Sequence, residues 1–310
     1  MTPSFHTRLL RLCELTYSVP RGPCTIPDTA PQAIREIGLI GSAQAIGRNP
    51  TYTGVRDLAL VGHLPEGIVI AVRGSEPPRL AGLADAIAIG LDWSNDGLVL
   101  GIESDALGGI VHQGFASAAN SLWRDLPDEG IINRVKAMVG ANADTTRIIL
   151  TGHSKGGPVA QLVAFMLRRE TALAGVTIEV VTFAAARPGN AAFATLFAAS
   201  GIDCLRYESH YDIVPQLPLG GPPDATLGSV LSALGISSTS GILGFAALGM
   251  RVAESVAEAD AWTGPATSFP FNLATLLAGT PLGHAYRAIA AHAISPGSHY
   301  DRLLASHSVA

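Results

Sequence analysis

The chain has 310 residues, 48% of them apolar and only 15% charged, with a mean hydropathy of +0.33 and a formal net charge of −5. That length can bury a sizeable core, as one large domain or as one domain with a substantial insertion. The mild acidity, without a long basic run, gives no support for a nucleic-acid partner. Cys13, Cys24 and Cys204 form no C-x-x-C pair, so neither a disulfide framework nor a zinc or redox motif is expected.

Met1 to Arg11 contains no apolar h-region and no small-residue cleavage site. The expected location is therefore cytoplasmic, or outside the cell by a route that needs no conventional signal. Leu9, Leu10, Leu12, Leu15 and Tyr17 predict an opening helix over 9–19. Residues 24–50 are rich in Pro and Gly around one short helix near 32–37. Strands are predicted over 57–63 and 67–72, the second a continuous apolar run of the kind buried on both faces. It ends in Arg73-Gly74-Ser75. Residues 77–91 read as an Ala/Leu/Ile-rich helix with little polar face, closed by Asp92-Trp93-Ser94-Asn95-Asp96, and 98–102 reads as a further strand. Val111-His112-Gln113-Gly114-Phe115 leads into a helix ending near Leu126, with another over 131–139.

The most informative stretch follows. A strand-like run, Arg147-Ile148-Ile149-Leu150-Thr151, meets Gly152-His153-Ser154-Lys155-Gly156-Gly157, and helix resumes at Pro158. A serine between glycines at a strand-to-helix corner has the form of a nucleophile elbow. The glycines are demanded because the corner has no room for a Cβ beside the serine. A strong strand over 176–183, a helix near 191–199 and a strand over 204–208 continue the alternation, which predicts a mostly parallel sheet covered by helices. Cys204 reads as an inert buried thiol.

A serine hydroxyl becomes a useful nucleophile only when a histidine takes its proton, and that histidine needs an acid to fix its tautomer. Asp212, just beyond the strand 204–208 and before Ile213-Val214-Pro215, is the best-placed acid downstream of Ser154. Asp203 starts its strand at the wrong end, and Asp224 falls in a region of different composition. For the base, His299 at the start of a final helix is the first candidate and His292 the alternate, while His284 reads as a surface histidine. The developing oxyanion also needs donors. The backbone N–H of Lys155 supplies one, and Ser75, through its N–H and hydroxyl, fits the second.

These residues resemble the class 3 lipases, the fungal-type triacylglycerol lipases and their bacterial and plant relatives. Ile68-Val69-Ile70-Ala71-Val72-Arg73-Gly74-Ser75 looks like that family's oxyanion strand, and Asp92 to Asp96 is similar to its Asn-Trp-x-x-Asp segment. Val111 to Phe115 matches Val-His-x-Gly-Phe. Thr182-Phe183-Ala184-Ala185-Ala186-Arg187-Pro188-Gly189-Asn190 resembles Thr-Phe-Gly-x-Pro-Arg-x-Gly-Asn. Asp212-Ile213-Val214-Pro215-Gln216-Leu217-Pro218 looks like the segment that carries the family's triad acid. The resemblance implies an α/β-hydrolase fold, an acyl-serine ester hydrolysis of lipid esters, and no cofactor or metal. Lys155 departs from the usual Leu, and Ala184 and Ala186 stand for a Gly and a Pro, read as a change in packing. His299 with Leu303 matches the family's ending approximately.

The resemblance also implies a lid after the oxyanion residue, which 77–91 would supply as an apolar contact with a lipid interface. Residues 218–282, rich in Gly, Ala, Ser and Pro, have no counterpart and read as an insertion in one hydrolase domain spanning 1–310. No charge occurs between Asp224 and Arg251, yet Gly235 to Gly241 interrupts the run. Two short apolar helices packed as a hairpin are expected there rather than a transmembrane span. Lys155 beside the nucleophile raises a second reading, a phospholipid headgroup site. Other rivals are a short-chain esterase and a non-catalytic lipid- or partner-binding homologue. Ser-His-Tyr-Asp occurs at 209–212 and again at 298–301, but without metal-ligand spacing no metal site is expected.

Overall fold

In the computed structural model the described residues are 3–19, 31–47, 57–75, 101–104, 107–123, 130–141, 145–209, 212, 214–216, 251–254 and 292–307. The lid segment 77–91, the segment 92–96, the hairpin at 227–250, Cys24, His284 and most of 218–282 lie outside them.

Among the described residues seven strands form the main sheet: β1 (Ile40–Gly47), β2 (Leu58–Leu64), β3 (Gly67–Val72), β6 (Arg147–His153), β7 (Thr177–Phe183), β8 (Asp203–Glu208) and β9 (Arg251–Glu254). They lie in that order. The first three pair antiparallel, and every pair from β3 to β9 is parallel. A separate two-stranded ribbon joins β4 (Gly101–Ser104) to β5 (Gly109–His112). Parallel neighbours require crossovers, and helices supply them.

The period of two along β3 explains why helices cover both faces. Ile68, Ile70 and Val72 enter one buried cluster, with α3 (Gln113–Trp123), α4 (Ile131–Ala141), α5 (Gly156–Arg168) and α6 (Ala191–Ala199). Val69 and Ala71 enter the other, with α1 (Phe5–Ser18), α2 (Pro31–Ile37) and α7 (His299–His307), which contribute Leu9, Leu10, Leu12, Cys13, Ile37, Tyr300, Leu303 and Leu304. An apolar run with no polar face is what a strand covered on both sides needs.

Some elements differ from expectation. α1 begins at Phe5, ahead of its leucines, because the Ser4 side chain accepts from the Thr7 N–H and caps the helix. β1 was not expected at all. Its Gly41, Ser42, Ala43 and Gln44 are weak strand formers, and it is an edge strand held by β2, with a register irregularity between Ile40 and Gln44. Residues 101–102 of the expected strand 98–102 belong to the ribbon, not to the main sheet. Arg251–Glu254, inside the stretch read as an insertion, is the sheet's last strand.

Ala184 closes β7 with φ 52°, in the left-handed region. A residue without Cβ suits that conformation, so Ala in place of Gly there is a backbone compromise rather than the packing change read from sequence.

Among the described residues, no helix is long and apolar enough to cross a membrane.

Candidate active site

The corner between β6 and α5 is built from backbone contacts. Ser154 has φ 59°, rare for a residue with a side chain, and is almost fully buried. Its N–H donates to the Phe183 carbonyl (3.1 Å), and its own carbonyl accepts from Gly157 (3.0 Å). A Cβ on Gly152 would run into the Gly156 backbone, and one on Gly156 into the Val72 carbonyl. Both glycines are therefore required by close approach of β3, β6 and α5. The segment leaving β3 is equally tight: a Cβ on Gly74 would lie 2.6 Å from the His153 carbonyl and 3.1 Å from the Ser154 Cβ. Gly74 thereby holds the β3 exit, and Ser75 next to it in the chain, against the His153–Ser154 backbone.

Asp212 is fully buried, and three donors satisfy its carboxylate. His292 Nδ1 lies 2.8 Å from Oδ2, the Tyr300 hydroxyl donates to the same oxygen at 2.9 Å, and the Val214 N–H donates to Oδ1 at 3.0 Å. A carboxylate only accepts, so His292 carries a proton on Nδ1, and in the neutral ring the acceptor is Nε2. Burial, and then the charge of Asp212, raise the Tyr300 phenol well above its ordinary range, so it remains a donor.

His292 is also tied to the elbow. Its backbone carbonyl accepts from His153 Nε2 (2.8 Å), and the two imidazole centroids are 4.6 Å apart. Arg11 of α1 donates to the Ile294 carbonyl (3.3 Å) and pairs with Asp301 of α7. The loop around residue 292 thus hangs from side chains of β6 and α1. His299 is the first residue of α7, seven residues on.

Lys155 stands at the N-cap of α5, so its backbone N–H lies at the positive end of the helix. Its ammonium pairs with Asp57 at 2.6 Å, and Asp57 also accepts from Ser121 of α3 (3.3 Å). The cation beside Ser154 is already committed to a carboxylate.

Behind Asp212 lies a buried charge group. Arg206 donates to Glu208 (2.5 Å) and to the Ala185 carbonyl (2.6 Å). Burial pushes the Glu208 carboxyl up and the Arg187 guanidinium down to about 10. Arg187 and Arg206 both act on Glu208, opposing the desolvation and the nearby charge of Asp212, so Glu208 is not an isolated buried charge.

The geometry therefore joins Asp212 to His292, Ser154 to the β3 exit that carries Ser75, and Lys155 to Asp57. Sequence reading missed Tyr300, His153, Tyr17 and Asp57. Tyr300 left a trace, since the two Ser-His-Tyr-Asp copies do meet: the Ser209 N–H donates to the Tyr300 hydroxyl (3.1 Å), which in turn donates to Asp212. The contact is a hydrogen-bond chain running from the Ser209 N–H through Tyr300 to Asp212. The other three act across the fold and leave no local signal.

Residues 69–221 match the family model described as Lipase (class 3). The chain is 28% identical over 167 residues to diacylglycerol lipase-beta of Mus musculus, covering 54% of this chain and 22% of that protein. It is 33% identical over 112 residues to a lipase of Rhizopus niveus, covering 36% of this chain and 27% of that protein. These matches span about a quarter of the length of the curated relatives. The solved Rhizomucor miehei triacylglyceride lipase superposes with a TM-score of 0.59 at 19% identity, over 90% of this chain and 91% of that one. At that identity the likeness establishes the fold, a mostly parallel sheet between helices of the α/β-hydrolase type.

Proposed function

We propose, from the match of residues 69–221 to the class 3 lipase family, that the chain hydrolyses lipid esters through an acyl-serine intermediate. In this reading Ser154 Oγ attacks the ester carbonyl while His292 Nε2 takes the hydroxyl proton. Asp212 holds the imidazole with its proton on Nδ1 and stabilises the imidazolium, and Tyr300 and the Val214 N–H keep that carboxylate in place. The N–H groups of Lys155 and Ser75 are the donors to the oxyanion, the first reinforced by the start of α5. His292 then returns the proton to the leaving alkoxide. A water, deprotonated by the same imidazole, attacks the acyl ester and frees Ser154 and the fatty acid.

The observation that carries this reading is the 2.8 Å contact between His292 Nδ1 and Asp212 Oδ2, on a loop bonded to the residue before Ser154. It favours His292 over His299 as the base. The Lys155–Asp57 pair favours neutral acylglycerols over phospholipids, because a phosphate headgroup would have to displace Asp57. Residues 77–91 are the proposed lid, and most of 218–282 the proposed insertion of a single hydrolase domain.

The test is hydrolysis of p-nitrophenyl esters from acetate to palmitate by the wild type and by Ser154→Ala, His292→Ala and His299→Ala. Activity lost in the first two variants and kept in the third is the expected result. Loss in His299→Ala with retention in His292→Ala would move the base, and full activity in Ser154→Ala would end the reading.

A further inference from the structure

The histidine that precedes the nucleophile makes two bonds that the reaction itself does not need. His153 is buried at the end of β6, with Nε2 at 2.8 Å from the His292 carbonyl and Nδ1 at 2.8 Å from the Tyr17 hydroxyl of α1. A carbonyl can only accept, so Nε2 carries a proton. A neutral imidazole has one N–H, so Nδ1 accepts from the Tyr17 O–H. The partners therefore fix both tautomer and orientation. Tyr17 also packs edge-on against the ring, with centroids 5.9 Å apart.

We propose that His153 is a positioning residue, a neutral strut whose Nε2–H sets the distance between the backbone of the base, His292, and the nucleophile Ser154, with Tyr17 as its orienting partner. The proposal rests on the reading of Ser154 and His292 given above. Ser154 follows His153 directly in the chain, so one side chain measures the gap between the two reacting groups. The imidazole has to stay uncharged, because a second cation 4.6 Å from His292 would oppose the imidazolium formed during attack. Its surroundings keep it so: burial first, then the nearby His292, hold its pKa well below the ordinary value of 6.5.

Kinetics and spectroscopy test this together. His153→Phe keeps the ring and removes the donor, and His153→Gln restores a donor near Nε2. With p-nitrophenyl butyrate, His153→Phe should lower kcat about ten- to a hundredfold, the cost of a misplaced base, with KM unchanged. His153→Gln should recover most of the loss. A wild-type kcat in folded His153→Phe, or no recovery in His153→Gln, overturns the strut, while inactive Ser154→Ala and His292→Ala run beside it keep the triad reading standing. Full activity in His292→Ala overturns that reading and the strut with it. In wild-type protein labelled with 15N-histidine, which needs no variant to fold, His153 should stay neutral with its proton on Nε2 between about pH 5 and 8. A proton on Nδ1, or titration within that range, overturns the proposal.

Discussion

The two sides of the site are held by different means. On the nucleophile side, Ser154 is fixed by backbone: glycines that admit neighbouring carbonyls, strand pairing on both sides of β6, and the first turn of α5. On the base side, His292 is held by side chains, Asp212 and His153 directly, with Tyr300 supporting Asp212 and Arg11 bonding the backbone two residues on. Backbone built into a parallel sheet has no alternative arrangement nearby, so that side resists change until it fails altogether. Hydrogen-bonded side chains can be lost one at a time, which makes the base side the place for graded damage.

Breaking the nucleophile side should therefore give the largest effect. In Gly156→Ala the new Cβ meets the Val72 carbonyl, backbone against backbone, with no flexible side chain to yield. Destabilisation at or above the upper end of roughly 1–3 kcal/mol is expected, with activity lost together with the fold. Urea unfolding measures it, and an unchanged midpoint would show that β3 can retreat from the corner. Tyr300→Phe probes the base side. It removes one donor from Asp212 and leaves the Ser209 N–H without its acceptor, for about 1–3 kcal/mol. A fall in kcat of about tenfold at constant KM is expected, since the acid loses one support and keeps two. A KM effect in place of a kcat effect would count against this assignment.

The base side should also respond to acid. His153 has a folded pKa well below its ordinary 6.5, so below about pH 6.5 the unfolded chain binds a proton that the folded chain refuses. Protons then favour the unfolded state, and stability falls with falling pH by at most about 1.4 kcal/mol per unit until the folded pKa is reached. Glu208, raised by burial, acts in the opposite sense. Its folded form keeps a proton that the unfolded form releases above about 4.5, so its contribution is lost as pH rises through that region. The two are separable in His153→Phe, which should flatten the decline between about pH 6.5 and 5. A decline as steep as the wild type's would assign the acid sensitivity to another group.

The same contrast decides how much was legible in the sequence. The elbow is a local object, and a strand, two glycines, a serine and a helix are contiguous over Arg147–Arg168. Strands β3, β6 and β7 were readable because burial on both faces leaves runs of apolar and β-branched residues, whereas β8, with Asp203, Arg206 and Glu208 among its six residues, was placed by the alternation of strand and helix. Edge strands β1 and β9 were not, since pairing on one side asks little of their residues. Asp212 was visible because it follows a strand and precedes a rigid Val-Pro, whereas its partner is 80 residues away. Sequence ranks His299 ahead of His292 because a helix start is a local cue and a hydrogen bond across the fold is not. His153, Tyr17 and Asp57 illustrate the limit: each is an ordinary residue whose role exists only once β6, α1 and β2 are side by side.

The smallest expected effect sharpens the comparison most, because it concerns a second corner of the same sheet. β7 ends next to β6, with Phe183 opposite His153, and each strand is followed by a residue at positive φ, Ala184 and Ser154. At Ser154 the proposed reaction needs the serine side chain, which gives the strain a chemical return. At Ala184 only a methyl is present, and the Ala184 N–H merely extends the ladder to the Tyr207 carbonyl (2.9 Å). Ala184→Gly should therefore relieve roughly 1 kcal/mol of left-handed strain and lose about 0.4–1 kcal/mol to the freer unfolded chain. The net change should lie within about 0.5 kcal/mol, with kcat untouched. A loss beyond 1 kcal/mol by urea unfolding would mean that the buried methyl contributes more through packing than its backbone conformation costs, and the two corners would then differ in kind as well as in purpose.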